Sequence, residues 1–169
     1  MGGFAKAHNA NVKRGNAEYV LILNPDVFVE PDCIEAAIDC TMAHRGLIVG
    51  AHFHNDRSVW LPPDWSGAVR PNDDFDESLC QRVPHVMGAF MLLRRETWQD
   101  VGGFDERFSP IYYEDLDICL RVGNCWHCGK AHATHIGCAT TDRMKWRRRY
   151  WHAKNRLKFL YKWRIECAY

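Results

Sequence analysis

The chain contains no run of about 18 consecutive apolar residues, the length a helix needs to cross a bilayer, so no membrane-spanning helix is expected. Its opening residues, MGGFAKAHNANVKRG, lack the apolar core of a signal peptide, so export is not expected and a cytoplasmic location is. A phosphate-binding loop is missing as well, because no strand precedes Gly2-Gly3 and no Lys-Ser/Thr pair follows them. Net charge is nearly absent, at +1. Cysteine is not scarce, with eight residues, but a disulfide framework is mostly a device of shorter secreted chains. Cys33, Cys40, Cys80, Cys119 and Cys167 stand singly, as reduced or buried thiols do.

What is present suits one soluble globular domain. A chain of 169 residues can bury a real core, and 47% hydrophobic with 25% charged residues is ordinary for such a domain. The small net charge conceals an asymmetry. From Asp142 to Glu166 ten Lys and Arg face two acidic residues, a local charge of +8, while the rest holds 12 basic against 19 acidic residues, or −7. The chain therefore divides into a body, 1–141, and a basic aromatic helical tail, 142–169.

In the body, a loop leads into a short helix, and Glu18 to Leu23 (EYVLIL) then reads as a buried strand. Pro25 stops that strand and turns the chain through Asn24-Pro25-Asp26. Ligands sit at the carboxyl ends of strands in open α/β sheets, so Asn24 and Asp26 offer oxygens to Mg²⁺ or Mn²⁺; an Asx-Pro turn with no ligand is the competing reading. A helix is expected from Pro31-Asp32, with Ile34, Ala37, Ile38 and Met42 on its apolar face, followed by a strand over Leu47 to Gly50. His52 to Arg82 reads as a long loop, in which Trp60 and Trp65 either stack on a sugar or base or pin the loop. Val83 to Leu93 is a further strand, and Arg94 to Trp98 begins a helix that Val101-Gly102-Gly103 ends.

The chemistry concentrates in Phe104 to Arg121, FDERFSPIYYEDLDICLR. Here Glu114, Asp115 and Asp117 follow Tyr112-Tyr113 and open a helix-compatible run. Carboxylates at a helix mouth are favoured by its dipole, and one beside aromatic rings can serve as general base, metal ligand or cap. After Arg121 come Cys125, Cys128, His132, His135 and Cys138; Cys-x-x-Cys with two histidines is one zinc pattern, and a single His reaching an active-site metal is the more economical alternative. In the tail, Trp146, Tyr150, Ala153, Leu157, Leu160 and Tyr161 share a helical face. Basic residues with such aromatics over 143–163 fit an anionic membrane surface, and also a core-packed helix or a nucleic-acid partner.

Leu-Asn-Pro-Asp-Val, then Val-Gly-Gly-Phe-Asp-Glu, Glu-Asp-Leu-Asp-Ile-Cys-Leu-Arg and Thr-His-Ile-Gly occur in this order. The set resembles a family 2 glycosyltransferase of the GT-A fold, most similar to the rhamnosyltransferase-like branch, over nearly the whole chain. The resemblance implies an α/β fold: a partial, Rossmann-like GT-A domain with a mixed sheet flanked by helices and a C-terminal basic helix. It lacks the strand-turn-helix unit that such enzymes normally carry first to hold the nucleotide base. The resemblance further implies Asp115 as general base with Glu114 alongside, and Asn9, Asn24 and Asp26 on the donor side. Asp26 and His135 would hold Mn²⁺ or Mg²⁺. Trp60, Trp65, Tyr113 and Asp117 are the acceptor-side candidates. The implied reaction moves a sugar, with inversion, from a nucleotide-sugar donor to a polysaccharide or lipid-linked saccharide acceptor. No nucleic-acid partner is expected. A catalytically inactive chain that binds saccharide or a membrane surface is the alternative.

Overall fold

The computed structural model of the chain describes residues 2–54, 78–136 and 145–164. Six strands form one mixed sheet: β1 (Tyr19–Leu23), β2 (Val27–Val29), β3 (Ile48–Phe53), β4 (Cys80–Val83), β5 (Phe90–Arg94) and β6 (Cys125–His135). Among the described residues five α-helices accompany it: α1 (Gly3–Val12), α2 (Cys33–His44), α3 (Arg95–Asp100), α4 (Glu114–Val122) and α5 (Lys145–Trp163). The strand order is β1-β5-β3-β6-β2, with β4 also paired to β6. The β3–β6 pair is parallel, and β1–β5, β3–β5, β2–β6 and β4–β6 are antiparallel.

Alternation along the strands divides the core into two layers. Ile48, Met91 and Leu93 face α1, α3 and α4, packing with Ala5, Trp98, Ile118 and Cys119. Val49, Ala51, Phe90 and Leu92 face α2 and meet Cys33, Ala37 and Cys40. The expected apolar face of α2 is met in part: Ala37 is buried and Ile38 packs against the core. Ile34 and Met42 are exposed, while Cys33, Ala37, Cys40 and Thr41 are buried, because small side chains let the helix approach the sheet closely.

One other expectation is revised. The apolar run Val83 to Leu93 is not one strand: its first residue ends β4, a turn follows, and β5 begins at Phe90. The Cys- and His-rich stretch after Asn124 forms the 11-residue β6, which takes β3 on one side and β4 then β2 on the other. The β3–β6 register jumps between Ala51 and His52, whose partners are Cys128 and His132. The extra residues form a bulge that re-aims the second half of the strand.

The basic helix α5 docks on the body through His152, Asn155, Phe159 and Trp163, spaced at three to four residues. Phe159 is buried against Phe108, Tyr113 and Leu116, and burying such a ring contributes about 2–3 kcal/mol. The face read from the sequence points the other way: Trp146 is 70% and Tyr161 89% exposed, with Tyr150 and Leu157 also exposed. Core packing by that face is therefore excluded. Among the described residues no helix is long and apolar enough to cross a membrane.

Candidate active site

Asp26 and His135 lie 109 positions apart and meet through strand register. The turn after β1 is closed by the Val27 N–H donating to the Asn24 carbonyl at 3.2 Å. Val27 then pairs with His135 across β2 and β6, and the Ile136 N–H donates to the Asp26 carbonyl at 3.0 Å. The Asp26 Oδ1 consequently stands 3.5 Å from His135 Nε2, with both side chains partly accessible. Neighbouring ligands of an octahedral ion at bond lengths of about 2.1 Å are about 3 Å apart, so one divalent ion can take both with a small adjustment. An imidazole nitrogen beside a carboxylate suits a transition ion such as Mn²⁺ better than Mg²⁺, which favours oxygen.

Asp115 sits in the first turn of α4, directly after two tyrosines with left-handed backbone, Tyr112 at φ 78° and Tyr113 at φ 75°. Bulky residues adopt that conformation only where surrounding contacts impose it. The Asp115 carboxylate accepts the Leu116 N–H at 2.8 Å on Oδ1 and the Gly88 N–H at 3.1 Å on Oδ2. A side chain at Gly88 would press within 3.3 Å of the Asp115 Cβ and 3.4 Å of the Phe4 ring, which is why glycine stands there. The next residue, Ala89, accepts the Asn24 N–H through its carbonyl at 3.0 Å. Two residues of backbone therefore connect the Asp115 carboxylate to the Asn24–Asp26 turn. Three separate parts of the sequence converge on one end of the sheet.

The other candidates fare differently. Glu114 is buried, and burial, reinforced by the neighbouring Asp115 charge, raises its carboxyl well above the ordinary range. Its Oε2 has no hydrogen-bond partner among the described residues. A neutral acid is a poor base, so Asp115 alone retains that candidacy. Asn9 is not placed to meet a donor. Its side-chain amide donates to the Phe104 carbonyl at 2.9 Å and to Glu106 Oε1 at 3.0 Å, and its Oδ1 accepts the Phe104 N–H at 2.9 Å. Asp117 is fully buried, paired with Arg121 at 2.9 Å and Lys162 at 2.6 Å, and accepts the Trp163 indole N–H at 3.1 Å. It ties α4 to α5 and has no surface to offer an acceptor. Tyr113 likewise lies in the core against Phe159. Trp60 and Trp65 lie outside the described residues.

One residue of the site was overlooked in the sequence. His85, in the turn before Gly88, is buried; burial lowers its imidazole below the usual value, and the nearby Asp115 carboxylate opposes that shift. Its signal was a lone polar residue inside the apolar run Val83 to Leu93, since a buried histidine needs a reason.

The Cys-x-x-Cys zinc reading fails on geometry. Cys125 and Cys128 lie three apart on a strand and so face opposite sides of the sheet: Cys125 packs with Cys119 and Ile118, and Cys128 with Cys40 and Ala37. His132 instead groups with His52 and His54, their ring nitrogens within 4.8 Å of one another, and Glu30 lies 2.7 Å from His54 Nε2.

No protein-family model matches the chain. Its fold is shared with crystal structures of S. aureus TarS: one superposes with a TM-score of 0.53 at 15% identity, over 81% of this chain and 25% of TarS. The 1–349 fragment of TarS in complex with UDP-GlcNAc gives a TM-score of 0.50 at 14% identity, over 78% of this chain and 38% of that one. Among curated proteins, the chain is 27% identical over 134 residues to the O-antigen biosynthesis protein RfbC of Myxococcus xanthus. It is 24% identical over 143 residues to the uncharacterized protein y4gI of Sinorhizobium fredii. These matches cover 68% and 70% of this chain but only 10% and 15% of the two relatives.

Proposed function

We propose that the chain forms the metal-binding and acceptor-side portion of a glycosyltransferase, related to the family 2 rhamnosyltransferase-like enzymes, that moves a sugar from a nucleotide-sugar donor to a saccharide or lipid-linked acceptor. The observation that carries this reading is the link from Asp26 and His135, through Ala89 and Gly88, to Asp115. A fold shared with a protein solved with UDP-GlcNAc supports the donor class, and similarity to an O-antigen biosynthesis protein supports surface polysaccharide as the product class.

In this reading Asp115 takes the proton from the attacking acceptor hydroxyl. Each of its oxygens already accepts one backbone N–H, which fixes the carboxylate and leaves further lone pairs for the substrate. Asp26 and His135 would hold Mn²⁺, which supplies neutralising charge to the departing diphosphate. Attack in line with that departure inverts the anomeric centre. Neutral Glu114 and His85, buried around Asp115, keep competing charge away from it. The exposed aromatic face of α5, with Arg147 over the Trp146 ring and Lys154 over Tyr150, suits an anionic membrane surface beside a lipid-linked acceptor.

The test is Mn²⁺-dependent sugar transfer from nucleotide sugars, combined with Mn²⁺ binding followed by electron paramagnetic resonance. Asp115→Asn is expected to lower turnover by about 10²-fold or more with Mn²⁺ binding intact, whereas Asp26→Asn is expected to weaken Mn²⁺ binding itself. Full turnover in Asp115→Asn removes it as base. Nucleotide-sugar binding without any transfer would favour an inactive binding module.

A further inference from the structure

Cys40 of α2, Cys80 of β4 and Cys128 of β6 bring three sulfur atoms within 4.8 Å of one another. The Cys80 and Cys128 sulfurs are 3.5 Å apart, consistent with their direct pairing across β4 and β6. Cys40 and Cys128 are buried in the apolar layer beneath α2, and Cys80 is half-buried. A buried thiol usually behaves as a small hydrophobe. Three from separate elements, converging on one point, ask for another account.

We propose that these three thiols form a structural zinc site that clasps α2, β4 and β6 together. A tetrahedral zinc with Zn–S bonds of about 2.3 Å holds its sulfurs about 3.8 Å apart, a spacing the trio reaches with little movement. Binding releases the thiol protons to solvent and leaves three thiolates on the ion. Water or another small ligand would complete the tetrahedral shell, and Cys80, the half-buried member of the trio, is where one could enter. Cysteine sulfur favours zinc over the hard ions suited to Asp26, so the two sites would not compete for one metal. The clasp also has a mechanical purpose. Among the described residues the strand β4 pairs only with β6, and tying it to α2 fixes the segment that leads to His85 and Gly88.

Elemental analysis of protein purified under reducing conditions should find one zinc per chain. Cobalt substitution should give an intense thiolate-to-cobalt charge-transfer band. Cys80→Ser should weaken zinc binding by more than about tenfold, the loss expected even for an outer-shell partner. Cys125→Ala, which removes the other cysteine of the sequence motif, should leave binding unchanged. Circular dichroism would establish that each variant folds, and the cobalt spectrum of the unaltered protein decides the question even if one does not. The proposal is overturned by absence of tight metal, or by a Cys80–Cys128 disulfide in metal-free protein. A cobalt spectrum without the thiolate band that responds to His54→Ala would assign the metal to the histidine trio and overturn it equally.

Discussion

At the mouth of α4 two adjacent carboxyl groups meet different surroundings. Asp115 receives two backbone N–H groups at the accessible end of the sheet, while Glu114 turns into the core, its Oε2 without a partner among the described residues. One step along a helix rotates a side chain by about 100°, enough to separate a base from a buried neutral acid. This gives stability a sign with pH. A glutamate in the unfolded chain titrates near 4.5, and the folded value is raised by burial and by Asp115. Its favourable contribution is therefore complete below pH 4.5 and declines as pH rises toward the folded value. His85 acts in the opposite direction: its folded value is lowered, so its contribution is present above 6.5 and declines as pH falls. The readout must be a difference between chains. Urea unfolding is expected to show Glu114→Gln gaining on the unaltered protein above pH 4.5, by up to about 1.4 kcal/mol per pH unit until the folded value is passed. Parallel pH curves for the two proteins would mean that Glu114 ionises freely in the folded state.

At the scale of elements, α5 holds the strained turn that aims Asp115. The Asn155 side chain is fully buried and donates to the carbonyls of Phe108, of Ile111 at 2.8 Å and of Tyr112 at 3.4 Å. Those carbonyls belong to the loop that delivers Tyr112 and Tyr113 in their left-handed conformation. Asn155→Ala is expected to lower stability by about 2–3 kcal/mol, because it leaves buried carbonyls unpaired. It should also reduce kcat more than it changes the KM for the donor. Thermal unfolding together with steady-state kinetics checks this, and an unchanged kcat would reduce Asn155 to a purely structural tie. None of this was visible in the sequence, where Asn155 was one polar residue among many. Periodicity did locate β1, α2 and α4, since each has an apolar pattern and a Pro or Gly boundary, and the Gly102-Gly103 pair bounded α3. It missed β6 because the chain there is mostly Cys, His, Ala and Gly, and the strand exists through partners on both edges rather than through propensity. The Asp26–His135 pair was legible only through ordered motifs. The Cys40–Cys80–Cys128 trio was not legible at all, because strand register created it.

For the whole molecule, the acidic body and basic tail recognised in the sequence become two sides of one object. Fixing α5 by its His152–Trp163 face leaves Trp146, Tyr150 and Tyr161 pointing outward with Arg147, Arg149 and Lys154, while Lys162 turns inward to Asp105 and Asp117. Cosedimentation with vesicles containing anionic phosphatidylglycerol is expected to be strong at low salt and weak at high salt, and absent with neutral vesicles. Replacing Trp146, Tyr150 and Tyr161 together by Ala should weaken binding about tenfold, equivalent to about 1.4 kcal/mol. Unchanged binding in that variant would separate the helix from the membrane.

A helix gripped by the protein on one side and, as proposed, facing lipid on the other would also be a spacer. Its thickness, about 10 Å with side chains, would set how near the body can come to the lipid surface. The carboxylate of Asp115 would then work at a standing height above the headgroups. On that arrangement, acceptors whose hydroxyl is already carried outward by earlier sugars would be favoured over a bare lipid phosphate. Asn155 and Phe159, on the inner side of α5, would help set that height.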